Sequence, residues 1–337
     1  MLAVASRSWA AQPATVLQLD QFLATLHGQS DGKVAKQLDG MTLTERVSQA
    51  QLANWLAILP GPNSRQALTV LADASVLFLL PAASILPDPP PDPQTQQELL
   101  ARANDYVVRT LTRLPDFSAL RTTRHFADSP LKNSAASYPR FISQSVFNVT
   151  YVNGFESHAI QQLSIPLGNH VGPDLESGGE FGPILSLVLS DSAQGSVKWG
   201  YWQTEPQGRL AVFNYSVPEP ISNYQLSFTQ DLHRVSVVPA YFGEIAIDPA
   251  TGAIVRITLI TGPLPAQNVQ QSAIAVYYDA VRLGGRDYIC PLKGVAITIS
   301  LVNLRKGGTG LQTMLNDTAF SAYHLMRGDI RILPPHP

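Results

Sequence analysis

The run PDPPPDP at 87–93 constrains this 337-residue chain more than any other stretch. Consecutive prolines remove amide donors and hold the backbone stiff and extended, so neither a helix nor an inner strand passes through them. Before the run, apolar residues recur at helical spacing. From Phe117 onward they recur with a period of two, broken by turn signals. The pattern predicts a helical module at 14–86, a Pro-rich linker at 87–93 and a β-rich domain at 94–335 that opens with one further helix.

Within the first part, VLQLDQFLATL places Val16, Leu17, Leu19, Phe22, Leu23 and Leu26 mainly on one face. SDGKVAKQLDGM predicts a second short helix capped by Ser30 or Asp31. In TLTERVSQAQLANWLAIL, Thr42 and Glu45 have capping-box spacing. SRQALTVLADASVLFLL predicts a fourth helix, and after the prolines QTQQELLARANDYVVRTLTRL carries a stripe through Leu99, Leu100, Ala103, Tyr106, Val107 and Leu111. Strands are predicted at 117–126, 141–152, 155–164, 196–204, 209–216, 223–230, 241–248, 253–261, 272–283, 286–301 and 317–326, with a short helix opening at Pro183. The fold class is α+β: a small helical bundle, then a large curved antiparallel sheet, an open half-barrel with one or two packed helices.

Charged residues make up 14% of the chain, against roughly 25% in an average soluble domain. The net charge of -2 gives no field that favours nucleic acid or an anionic membrane. A single cysteine, Cys290, excludes an internal disulfide and a multi-cysteine metal site. No stretch reaches the ~18 apolar residues of a membrane-spanning helix; LTVLADASVLFLLPAASIL is interrupted by Asp73 and Pro81. Residues 1–13 read either as the remnant of a signal peptide that begins upstream or as a frayed terminus.

Each motif with a chemical reading has a plainer one. In GEIAIDPATGAIVRITL, Asp248 resembles a reactive carboxylate, but Asp-Pro-Ala-Thr-Gly between two alternating runs is a hairpin corner. RLGGRDY predicts a second hairpin at Gly284–Gly285. GQSDG at 28–32 fits a nucleophile elbow, with Asp174 and His324 downstream, yet a helix and not a strand precedes Ser30. RKGGTGLQ lacks the ending of a phosphate loop. His170, Asp174, Glu176 and Glu180 form the densest group of potential metal ligands, in a glycine-rich loop. Cys290 beside Pro291 reads as a structural thiol at a strand edge or bulge. In VKWGYWQTE simple alternation puts Trp199 and Tyr201 on one face and Trp202 on the other, with Phe213 and Tyr215 on the next strand. Core packing is the default reading of these aromatics, and lining an apolar ligand site on an open concave face is the alternative.

The segments LPDFSALRTTRHFAD, GEFGPIL, GRLAVFNYSVP, YFGEIAIDPATGAIVRITL, GGRDYICPLKGV and LNDTAFSAYHL resemble a family of exported bacterial proteins from which no site residue carries over. The order of a helix, an LPDF strand and a long antiparallel meander also resembles the half-barrel of periplasmic lipoprotein carriers of the LolA type. That resemblance implies a periplasmic or otherwise exported protein without cofactor. Its partner would be an apolar small molecule or lipid chain, or an envelope protein. No site residue carries over, and the aromatic pattern makes Trp199, Tyr201, Phe213 and Tyr215 the first candidates for ligand contact. A regulatory or scaffolding module and a hydrolase are the alternatives.

Overall fold

A computed structural model describes residues 12–128, 139–153, 155–163, 180, 183–205, 208–230, 233–304 and 307–326. Its first part holds β1 (Gln12–Ala14), α1 (Val16–Ala24), α2 (Asp31–Leu38), β2 (Met41–Leu43), α3 (Gln49–Ile58) and α4 (Pro62–Ala74). Thr15 caps α1 in a reciprocal box with Gln18. The predicted box at Thr42 and Glu45 does not form. Thr42 lies in β2, which pairs in parallel with β1, and the Glu45 carboxylate accepts the Val16 amide at 2.9 Å. Ser48 caps α3 instead. Gly61 at the N-terminus of α4 offers no side chain. Asp31 of α2 supplies the acceptor from a distance, taking the amides of Asn63 and Ser64 at 3.0 and 2.8 Å. These hydrogen bonds hold the Asp31 carboxyl below its usual range.

The rest of the described chain is β3 (Ile85–Leu86), α5 (Pro93–Arg113), β4 (Phe117–Ala127), β5 (Arg140–Val152), β6 (Phe155–Leu163), α6 (Pro183–Gln194), β7 (Ser196–Glu205), β8 (Gly208–Val217), β9 (Leu226–Gln230), β10 (His233–Val237), β11 (Tyr241–Ile247), β12 (Ile254–Thr261), β13 (Val269–Leu283), β14 (Arg286–Asn303) and β15 (Thr309–Leu325). Eleven strands form one antiparallel sheet in the order β3-β7-β8-β11-β12-β13-β14-β15-β4-β5-β6, and its two edges do not pair. β9 and β10 form a separate hairpin.

Both predicted corners are turns. Asp248 accepts the Ala250 amide at 2.9 Å and the Thr251 hydroxyl at 2.6 Å, and Gly252 takes a φ of +79°. Gly284 and Gly285 both take positive φ, as a two-residue hairpin requires.

The sheet is the middle of three layers. On what is called here the inner face, α5 and α6 cover an apolar core built from alternate residues of β8, β11 and β12. On the outer face, Val70 and Val76 at the end of the helical module pack on Phe126, Val295, Ile297 and Leu315. Two sets of buried ions join these layers. Arg46 reaches Glu244 at 2.9 Å, which Arg256 also meets at 2.8 Å. Lys293 lies 2.6 Å from Asp73 and 3.6 Å from Asp317. Burial, with the charge of Asp317 adding and that of Lys293 opposing, pushes the Asp73 carboxyl up to about 7.

Candidate functional site

The inner face is set by period-two alternation. Ala211, Phe213, Tyr215 and Val217 of β8 point under the helices, as do Tyr241, Ile245 and Ile247 of β11. β7 breaks this rule. Trp199 pairs with Phe213, but Tyr201 pairs with Val212, so Gly200 is an extra residue that shifts the phase. A side chain at Gly200 would meet the Val212 carbonyl at 2.9 Å. The expected face-sharing of Trp199 and Tyr201 is therefore reversed. Trp199 and Trp202 lie together on the inner face, their rings 4.8 Å apart, and Trp199 also meets Phe213 at 5.2 Å. Tyr201 points to the outer face, where its hydroxyl accepts from Arg46 at 2.9 Å and donates to Glu244 at 3.1 Å. Of the four predicted ligand contacts, Trp199, Phe213 and Tyr215 come together and Tyr201 does not. The isolated glycine in VKWGYW is the sequence signal for the bulge.

Phe213 and Tyr215 are buried beneath α5 and α6, and the Tyr215 hydroxyl donates to the Thr258 carbonyl at 2.6 Å. The helices are held differently. Asp191 of α6 is fully buried and accepts the Tyr241 hydroxyl at 2.8 Å and both nitrogens of Asn223. α5 is 21 residues long yet buries only Leu99, Ala103 and Val107. Its polar tie to the sheet side is Arg102 donating to the Pro249 carbonyl at 2.9 Å, on the surface. Beside α5 lies a shallow hollow of about 10 Å³, open to solvent, lined by Tyr106, Val107, Leu111, Leu185, Ile254 and Ile289 among others.

Across the sheet, one cross-strand row changes character. It is apolar from Trp199 through Phe213, Ile245 and Ile257 to Val276. It then passes over Gly294 to Thr318, Thr123 and Ser145. The next row likewise runs from Ile274 through Ala296 to Asn316 and His125. Sequence reasoning missed this polar half, although Arg121, Thr123 and His125 alternate visibly in ALRTTRHF.

His125 bonds Asn316 Oδ1 through Nδ1 at 2.9 Å and Ser145 Oγ through Nε2 at 3.1 Å. With the proton on Nδ1, Nε2 accepts from the serine, the order of groups in a serine relay. Ser145, however, sits mid-strand between β4 and β6, with its backbone directed into the ladder, so its strand offers no free pair of amides for an oxyanion. The network zips three strands together.

Of the other hydrolase candidates, Ser30 and His324 are among the described residues. Ser30 is the exposed N-cap of α2, without the expected side-chain cap bond, and His324 is exposed near the end of β15. His170, Asp174 and Glu176 lie outside the described residues. Glu180 is described, fully buried on the inner face. Among the described residues no three His, Cys, Asp or Glu side chains are grouped to hold a metal, and no helix is long and apolar enough to cross a membrane. Cys290 is buried, and burial pushes its thiol up to about 12, which keeps it protonated.

No family model and no curated protein matches the chain. A solved structure does. It is a LolA superfamily protein from Nitrosomonas europaea, 8% identical, with a TM-score of 0.28, covering 71% of this chain and 94% of that one. A likeness with so low a TM-score carries no argument about this chain.

Proposed function

We propose that the protein is an exported, non-catalytic binding protein. It holds an acyl chain or another lipid-like molecule on the inner face of a curved half-barrel, admitted beside α5. One observation carries the reading: a long helix with three buried residues covers an aromatic face next to an apolar hollow, while its neighbour α6 is pinned by Asp191. Ligand pockets occupy roughly 300–1,000 Å³, and the hollow beside α5 holds about 10 Å³, room for about one water, so a lipid chain calls for α5 to move outward. The contacts then uncovered are Trp199, Phe213 and Tyr215. Each apolar Å² buried contributes about 25 cal/mol before ordering costs. Native mass spectrometry after detergent-free purification, followed by titration with a fluorescent fatty acid, tests this. A co-purified acyl species or saturable probe binding is expected. An empty protein that ignores the probe contradicts it.

A second reading has its own support. Phe78 and Leu79, adjacent in the helical module, are 44% and 77% exposed. An apolar pair of this kind suits a protein partner in the envelope. Leu79→Asp would abolish such an interaction and leave acyl binding unchanged.

A further inference from the structure

Glu180 stands three residues ahead of α6, over the bare Cα of Gly294; a Cβ placed there would lie 3.7 Å from Oε1. Oε1 meets Arg121 Nη2 at 3.4 Å. Charge-assisted pairs usually close to about 2.7–2.9 Å. Oε2 is buried and has no hydrogen-bond partner, and neither has the buried hydroxyl of Tyr278. Burial raises the Tyr278 phenol well above its usual value, and the charge of Glu180 adds to the effect. A buried ion pair recovers its desolvation cost only with close geometry and satisfied lone pairs. This one has neither. It is a weak structural tie and is readily exchanged for another carboxylate.

Its position gives the exchange a purpose. The apolar part of the inner face, from β7 to β13, spans roughly 19 Å at the usual strand spacing. Gly294 follows directly, its bare Cα covered by Glu180, and Thr318, Thr123 and Arg121 lie just beyond it. We infer that Arg121 receives the carboxylate of a long-chain acid whose tail lies on the aromatic half, and that Glu180 takes that place when no ligand is bound. The inference rests on the acyl-binding reading and adds the head group to it. Esters, alcohols and other uncharged amphiphiles would bind by the tail alone.

The full chain, stripped of lipid, is titrated with cis-parinaric acid and with its methyl ester. The acid should bind about tenfold tighter or better, as a charge-assisted contact warrants. Arg121→Gln should bring the ratio to about one by weakening only the acid. Glu180→Gln should strengthen the acid about fivefold, because the resident competitor no longer holds Arg121. Equal binding of acid and ester to the native protein overturns the head-group site and leaves the acyl site standing. Failure of both probes overturns both. Weaker acid binding by Glu180→Gln overturns the exchange. Should Arg121→Gln fail to fold, the native ratio and Glu180→Gln decide.

Discussion

Glu244 shows how a buried charge is kept in this protein. Burial alone would push its carboxyl up, but Arg256 and Arg46 more than offset that and hold it down to about 2. The folded value lies below the unfolded one. Its contribution is therefore complete above about pH 4.5 and is lost as pH falls towards 2. The shift corresponds to about 3 kcal/mol. In Glu244→Gln the acid limb of stability against pH, from urea unfolding, should flatten by about that amount; an unchanged limb would place the acid sensitivity elsewhere. Lys293 serves two carboxylates, Asp73 and Asp317, across the join between the outer face and the helical module. Lys293→Met leaves both without their ammonium and should cost about 3–5 kcal/mol in the same measurement. Ser145→Ala should change no esterase rate, because the strand that carries Ser145 offers no free pair of amides to an oxyanion. A rate that falls with Ser145→Ala would make the network catalytic.

At the scale of elements, the alternation rule located nearly every strand of the large sheet from residue 117 onward, because one buried face forces a period of two. It failed where the phase slips. Gly200 inserts one residue and moves Tyr201 to the outer face, and a pattern window that averages over Trp199, Tyr201 and Trp202 does not register one extra residue. Leu292 is a second such place: Tyr277 pairs with Lys293 and Tyr278 with Pro291. The short pieces β1, β2, β3 and β10 were also invisible, since two to five residues do not establish a period. Helix starts were misread when the acceptor came from a distant residue, as Asp31 does for α4. The two long helices also differ in how much they bury. α4 buries seven of 13 residues and α5 three of 21. Hydrogen exchange should therefore run faster along α5 than along α4 or β12, since few buried apolar contacts mean a low opening cost. Equal protection would remove α5 as the moving part.

At the scale of the molecule, composition and period predicted a helical part before an antiparallel sheet, and the structure has that order. They gave no sign that the sheet separates two helical layers. Contacts such as Lys293 with Asp73 join residues 220 positions apart, a distance over which no local pattern reports. Composition and period left open whether the aromatic face is core or ligand site, and the structure covers it with α5 and α6. Phe213 and Tyr215 are core residues, so the proposed binding of an acyl chain requires α5 to move. That is the central claim, and energy transfer from Trp199 and Trp202 tests it most directly. The other two tryptophans, Trp9 and Trp55, are changed to Phe, and the protein is titrated with cis-parinaric acid. Saturable quenching of the remaining tryptophan emission, with one probe per chain at a Kd of about 10 µM or below, is the predicted result. Unchanged emission under conditions where the probe binds would place the ligand elsewhere, and no binding at all would mean that the inner face is simply a core.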